Sequence, residues 1–207
     1  DLMMGIGQPA GEGGFNIGRV VASLAGLGDV PGVTVNRYCS SSLQTIRMAF
    51  HAIKAGEGDC FIAAGVETVS RYANGASDMA PNAIFKGPGE RTKLRSQGGQ
   101  GTWTPPEGLP DMYIAMGQTA ENVAEYRQVS REAQDEFAAR SQNLSEQSLD
   151  EGYWADEITP ITLPDGTVVK DDDGIRRGTT VEKQSGLQPV FRPGGAVPAG
   201  TACALHA

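Results

Sequence analysis

The 207-residue sequence predicts an α/β fold built on a parallel sheet, followed by a loop-rich stretch and a mixed α+β region. Three observations carry this. Val33-Thr34-Val35 is β-branched and follows the turn residues Pro31-Gly32, which predicts a strand. Leu43, Ile46, Phe50 and Ile53 recur at three- and four-residue steps, which predicts a helix over residues 41–54 with that face buried. Cys60-Phe61-Ile62-Ala63-Ala64 is a short continuous apolar run, the pattern of a strand covered on both faces. Gly56 ends the helix between them. Strand, helix, strand in this order is a βαβ unit, so its strands run parallel. Residues 1–71 are assigned to this first domain.

Residues 72–110 read as irregular. Asn74-Gly75, Lys86-Gly87-Pro88-Gly89 and Gln97-Gly98-Gly99-Gln100-Gly101 are turn and loop chemistry, and a loop of this length is usually functional or disordered. Order returns with a short helix over residues 119–127. Ser130 then caps a longer helix, with Glu132 in its first turn, Ala133, Phe137 and Leu144 on one face, and Gly152 as its stop. Residues 157–163 and 167–170 flank Pro164-Asp165-Gly166 and predict a hairpin.

Composition narrows the function classes. The hydrophobic fraction of 39% supports a real core, while 28 glycines and 12 prolines predict much loop. A formal net charge of -8 argues against general nucleic-acid binding, although a few local Arg or Lys residues still suffice for a small anionic ligand. Cys39, Cys60 and Cys203 form an odd, widely spaced set without a Cys-x-x-Cys pair. That fits neither a disulfide framework nor a zinc ribbon, and points to a reducing, cytoplasmic setting. The opening Asp1-Leu2-Met3-Met4-Gly5 lacks the pattern of a signal peptide, and the longest apolar run, residues 61–66, is too short to span a bilayer. No membrane partner is expected. Both ends read as cut, because the chain opens on an apolar run and stops at Cys203-Ala204-Leu205-His206-Ala207.

Cys39 is the residue with chemistry to explain. It lies between the strand at residues 33–35 and the helix that begins near Ser41. A thiol at a helix N-terminus feels the positive end of the dipole and nearby free N–H groups, which favour the thiolate. A buried structural cysteine is the competing reading, and position alone leaves both open. Cys60 reads as buried in its strand, and His51, among Ala49, Ala52 and Ile53, as a packed core histidine. A thiolate nucleophile commonly works with a histidine. His51 is too far down the helix to reach Cys39, and His206 is the penultimate residue.

The segment Val35-Asn36-Arg37-Tyr38-Cys39-Ser40-Ser41-Ser42-Leu43-Gln44 resembles the active-site peptide of thiolases, the acetyl-CoA C-acyltransferases and acetyltransferases. Ala63-Ala64-Gly65-Val66-Glu67-Thr68-Val69-Ser70, Met116-Gly117-Gln118-Thr119-Ala120-Glu121-Asn122-Val123-Ala124, and the run from Ser130-Arg131 to Arg140-Ser141 match further family segments in order. Pro189-Val190-Phe191 and Ala199-Gly200 fall where the family's chain returns from an insertion. The resemblance implies an incomplete thiolase-like βαβαβ N-terminal domain with an inserted α+β loop domain. On it, residues 72–198 form the loop domain that holds coenzyme A, and residues 199–207 begin the return strand.

The resemblance further implies a function. Cys39 attacks a 3-ketoacyl-CoA, acetyl-CoA is released, and coenzyme A removes the shortened acyl group from the cysteine; condensation is the reverse. Coenzyme A is a co-substrate, no cofactor is bound permanently, and the complete protein is a homodimer or homotetramer. Leu109, Met116 and Cys203 are placed along the pantetheine, Ala199 among the coenzyme A-binding residues, and Arg176 near a phosphate or the adenine, where a guanidinium suits the contact. Arg176 and Arg177 also read as a solvated surface pair, and that alternative stands. The glycine-rich stretch near Gln97 is a candidate cover for the acyl pocket.

Departures from the family pattern matter as much. The position before Met116, a histidine in some thiolases, is Ala115. The family's Gly-His-Pro histidine and its second cysteine have no counterpart in these residues, nor do its first strand and helix, and Leu205-His206-Ala207 departs from the usual ending. Two other readings follow. One is a ketoacyl-synthase-like condensing enzyme, which shares the cysteine peptide. The other is a non-catalytic remnant that binds coenzyme A or pairs with a full-length subunit. Such a fragment should expose apolar surface and be marginal or aggregation-prone by itself. Iodoacetamide is expected to alkylate Cys39 faster than Cys60 in the folded chain; equal rates in a peptide-mapping time course would count against an activated thiolate.

Overall fold

The computed structural model describes residues 1–69, 82–98 and 101–203, in two compact units that lie within Asp1–Pro81 and Asn82–Ala204. The first unit is a three-stranded parallel sheet of β1 (Leu2–Gly5), β2 (Gly32–Val35) and β3 (Ile62–Gly65), in the order β2-β1-β3. Helices α1 (Ile17–Leu24) and α2 (Ser41–Ala55) provide the crossovers. Successive side chains of a strand point to opposite faces, and β1 shows what that does. Leu2 and Met4 pack with Ala22 of α1, while Met3 packs with Ala49 and Ala52 of α2. The sheet is therefore covered on both sides, and burial of Leu2, Met3 and Met4 contributes roughly 1.5–3 kcal/mol each.

Both strand and helix before Pro31 went unassigned from the sequence, although β1 is the central strand. The signal was present: Leu2-Met3-Met4 is an apolar run, and Ile17, Val20, Val21 and Leu24 follow a helical spacing. A three-residue run at the start of a chain has no flanking element to fix it.

The βαβ reading of residues 33–65 holds, and Gly56 closes α2 in the left-handed conformation at φ 76°. Three parts of it are corrected. The face of α2 expected to be buried points outward, with Leu43, Ile46 and Phe50 each more than half exposed. Ser41, Thr45, Ala49 and Ala52 face the sheet instead. The reason is space. A β-carbon on Gly5 would lie 2.6 Å from the Ser41 carbonyl carbon and 2.7 Å from the Ser42 nitrogen, so only small residues fit between α2 and the strand ends. Strand β3 is an edge strand whose Ile62 is 43% exposed, and Cys60, just before it, is exposed rather than buried. His51 is exposed too, lying edge-on to Phe50 at 5.3 Å between ring centroids.

In the second unit, the stretch expected to be irregular contains α3 (Lys86–Ser96). Its Pro88 falls in the first turn, where no helical N–H partner is lost. Asn82 accepts from the Ile84 N–H at 3.1 Å to start the preceding 3-10 turn, and Arg95 binds Glu125 at 2.6 Å. These contacts outweigh the poor helix propensity of Gly87 and Gly89. Asn74-Gly75 lies outside the described residues.

The next helix, α4 (Met116–Arg127), starts three residues before the expected position, and α5 (Arg131–Asp150) begins at Ser130, whose side chain accepts from the Ala133 N–H at 3.2 Å. Phe137 and Leu144 of α5 are exposed, and the buried residues are Asp135, Ala138 and Ala139. The hairpin is shorter than predicted, with β4 (Ile161–Thr162) antiparallel to β5 (Val168–Val169). Arg131 binds Asp135 with its Nε and donates to the carbonyls of Gln184 and Leu187 at 2.7 and 2.8 Å, which ties α5 to the end of α6 (Val181–Ser185). Residues 199–203, read as the start of a return strand, hold the 3-10 turn Ala199–Thr201 and no strand; residues 204–207 lie outside the described residues. Among the described residues no helix is long and apolar enough to cross a membrane.

Gly5→Ala should cost about 1–3 kcal/mol of unfolding free energy, the usual penalty for overfilling a packed site. Urea denaturation followed by circular dichroism measures it, and a loss under half a kilocalorie would mean that α2 shifts freely.

Candidate functional site

Cys39 sits in the 3-10 turn Tyr38–Ser40, four residues beyond the carboxyl end of β2 and directly before α2. The turn is fixed from several sides. Asn36 Oδ1 accepts from the Tyr38 N–H at 2.9 Å, and the Ser41 hydroxyl accepts from the Arg37 N–H at 2.9 Å while donating to the Tyr38 carbonyl at 2.6 Å. Arg37 reaches Gln44 on α2 at 2.7 Å. Tyr38 takes φ 46°, a left-handed conformation that a non-glycine residue adopts only under constraint. Through this turn the chain passes from the strand to the helix with Cys39 exposed and its thiol free. Ser40, at the N-cap position of α2, makes no side-chain capping bond, so the positive end of that helix is not covered by its own cap.

The strand ends around this turn are held close. Glu67, just past β3, accepts from the Gly7 N–H at 2.7 Å, and a β-carbon on Gly7 would lie 3.4 Å from Tyr38. Glu67 thus joins the segments that follow β1 and β3. Exposure removes the expected difference in access between Cys39 and Cys60, so any difference in alkylation rate has to come from the thiol's surroundings.

The second unit holds a cavity of about 770 Å³ between α4, α5 and residues 197–203, a size typical of small-molecule sites. Met116, Thr119, Ala120 and Val123 line it from α4, Ala133 and Phe137 from α5, and Val197, Gly200 and Cys203 from the third side. Among the described residues no charged side chain lines it. The wall is apolar with a few polar groups, among them Gln142 and the Thr119 hydroxyl, which is buried without a hydrogen-bond partner.

The residues named from the sequence distribute unevenly around this cavity. Met116 and Cys203 line it, the first from α4 and the second from residues 197–203. Leu109 is half-exposed outside the lining, and its carbonyl accepts from Arg91 at 3.1 Å. Ala199 is exposed at the start of the turn that presents Gly200 and Thr201. The Arg176 N–H donates to Gln142 Oε1 at 2.8 Å, so its backbone abuts a lining residue while its side chain is exposed.

Arg177 differs from Arg176. It binds Asp150 at 2.6 Å and Glu146 at 3.3 Å, and Glu146 also accepts from the Gly178 N–H at 2.8 Å. Arg177 anchors the loop on α5 and leaves the Arg176 side chain facing outward. The two arginines therefore have different surroundings, a distinction their adjacency in sequence hid.

Sequence reasoning missed the other side of α4. Gln118, Glu121 and Asn122 are buried, and with Glu125 they turn away from the cavity toward residues 189–198. Their spacing was readable, but a polar helical stripe ordinarily means solvent. Among the described residues no group of His, Cys, Asp and Glu is arranged to hold a metal ion.

A family model described as the thiolase N-terminal domain matches residues 1–206. The β-ketoadipyl-CoA thiolase of Acinetobacter baylyi is 41% identical, over 100% of this chain and 52% of its own length. The 3-ketoacyl-CoA thiolase of Bacillus subtilis is 36% identical, over 97% of this chain and 49% of its own. Among solved structures, the acetyl-CoA acetyltransferase of Bacillus anthracis aligns with a TM-score of 0.72 at 32% identity, covering 96% of this chain and 49% of that one. The chain thus spans about half the length of the curated relatives it matches.

The Arg177 guanidinium holds the Asp150 carboxyl below its ordinary pKa. A depressed carboxyl stabilises the folded loop above its unfolded pKa and loses that contribution as pH falls through the lowered value. Amide protection at Arg176 should therefore stay level down to about pH 4 and decline below it. Asp150→Asn should weaken protection at neutral pH and flatten the acid decline, read by hydrogen exchange.

Proposed function

We propose, from the premise that the chain belongs to the thiolase family, that Cys39 is the acyl-accepting nucleophile of a CoA-thioester acyltransferase. One observation carries the reading: Cys39 is an exposed free thiol on a rigid turn at the start of α2, at the carboxyl end of a parallel sheet. The positive end of the α2 dipole at such a position stabilises negative charge that develops on a carbonyl beside the sulfur. In the cleavage direction the Cys39 sulfur attacks the 3-keto carbonyl of a 3-ketoacyl-CoA. The bond between C2 and C3 breaks, and C2 takes a proton as acetyl-CoA leaves. The shortened acyl group remains as a thioester on Sγ, with the Cys39 N–H contributing to the oxyanion site. The thiol of a second coenzyme A accepts the acyl group and frees the cysteine. Condensation runs the same steps in reverse.

The cavity of the second unit supports coenzyme A as the co-substrate. Its apolar walls, with Met116 and Cys203 on them, suit a pantetheine arm, and the unpartnered Thr119 hydroxyl suits one of that arm's amides. Arg176 is the candidate for the phosphate end, with Leu109 and Ala199 as further contacts. The names of the relatives support the thiolase reading over a ketoacyl synthase. The proton for C2 and the activation of Cys39 are assigned to groups in the other half of the relatives' length. A homodimer or homotetramer in the cytoplasm is the form proposed for the complete protein.

The 207-residue chain alone should show no thiolysis of acetoacetyl-CoA above a Cys39→Ala control. In a protein extended to the length of its relatives, Cys39→Ala should lower turnover by at least about a thousandfold. Full turnover without the thiol would overturn the assignment. Coenzyme A should also slow alkylation of Cys203 in the 207-residue chain, and no protection at millimolar ligand would remove the cavity from the reading.

A further inference from the structure

The α4 helix carries two opposed stripes. Met116, Thr119, Ala120 and Val123 face the cavity. Gln118, Glu121, Asn122 and Glu125, offset by half a turn, face a tight loop formed by residues 189–198. The ends of that loop pair through the Pro189–Pro198 bridge and a Val190 N–H to Val197 carbonyl bond of 3.2 Å. At its centre, Glu121 is 1% exposed and accepts from the N–H groups of Ala196 and Val197 at 2.8 and 3.0 Å. Arg192, also buried, approaches the same carboxylate at 3.7 Å, hydrogen-bonds Asn122 at 3.4 Å and pairs with Glu125. Gln118 donates to the Phe191 carbonyl.

A buried carboxylate is costly unless its lone pairs are satisfied, and here two backbone amides and an arginine satisfy it. Val197, one of the two residues whose amides it holds, lines the cavity, as do Gly200 and Cys203 farther along the same wall. We propose that Glu121 is a positioning residue: it clamps the backbone of Ala196 and Val197 against α4 and so sets the wall on which Cys203 sits. The inference deepens the coenzyme A reading of the cavity and rests on it only for the ligand. It gives the Glu-Asn pair of the Met-Gly-Gln-Thr-Ala-Glu-Asn segment a task in shaping the site without touching the ligand.

Two substitutions test the contact from opposite sides, and neither alters a lining side chain. Glu121→Gln removes the charge and one of the two acceptors. Gly195→Ala places a β-carbon where the Glu121 carboxylate lies. In the full 207-residue chain, each should weaken pantetheine binding about tenfold in calorimetry. Each should also change the iodoacetamide rate at Cys203, mapped by peptide mass spectrometry, by a factor of about three or more. Asp165→Asn, in the distant hairpin turn, should leave both readouts unchanged. A structural role alone would lower the melting temperature and leave affinity and the Cys203 rate of the folded chain as they were; that result overturns the proposal.

The unaltered chain supplies a measurement that survives misfolding of either variant. Its Ala196 and Val197 amides should exchange at least about a hundredfold more slowly than those of residues 171–173. Fast exchange there overturns the clamp. If pantetheine fails to bind the unaltered chain, the coenzyme A reading falls, while the Cys203 rates and amide exchange still decide the clamp.

Discussion

The first unit depends on how closely α2 approaches the ends of the strands. Gly5 lets the backbone of Ser41 and Ser42 come within contact of β1, and Gly65 leaves room for the Ser42 side chain beside β3. Ser41 and Thr45 are fully buried at this contact, and the Thr45 hydroxyl finds the Ser42 carbonyl at 2.7 Å. Everything about Cys39 follows from that geometry. The helix has to start where the strands end, so the connecting turn is short, Tyr38 is forced into a left-handed conformation, and the thiol is carried on backbone with little freedom. The nucleophile role proposed for Cys39 would need such a support, because displacement of about 1 Å from an attacking geometry costs about a hundredfold in rate.

The second unit solves a similar problem by different means. Small residues do the positioning around Cys39, whereas charge does it around the cavity. Gly117 and Gly195 still matter there, since side chains would collide with Phe191 and with the Glu121 carboxylate. Yet the binding force is the set of bonds from Glu121, Asn122 and Glu125 to two arginines and three backbone amides. Such a network is unforgiving: satisfied, it fixes one arrangement, and with a member removed it leaves a buried charge unpaired. That makes it a suitable means of holding a wall whose position a ligand has to find unchanged.

The parts legible in the sequence were those with strong local signals. The β-branched triplet before Cys39, the Gly56 stop, the Ser130 cap and the Pro-Asp-Gly turn each act through residues a few positions apart, and each fell where predicted. What misled was the direction of apolar faces. The stripe of Leu43, Ile46, Phe50 and Ile53 marks α2 as a helix, but periodicity states only that a face exists. The glycines and serines that made the other face fit the sheet carry no hydrophobic signal. The helix over Lys86–Ser96 failed for the converse reason, because its glycines and proline read as loop and only distant partners such as Glu125 make it a helix. The Glu121 clamp was invisible as function for the same cause: its partners lie some seventy residues away, and nothing local distinguishes a buried polar stripe from a solvated one.

The outward stripe on α2 follows from the same constraint. Four large apolar side chains on one helix, each about half exposed, forgo roughly 1 kcal/mol apiece while they stay in water. The stripe points outward because the sheet side of α2 has no room for it. The same helix thus has two jobs with opposite demands on its residues. Its sheet side has to be small so that Cys39 can be held at the strand ends, and the bulk that stabilises the helix has to go to the other side. Reading α2 by hydrophobicity alone therefore finds the second job and misses the first, although the first is the one that places Cys39.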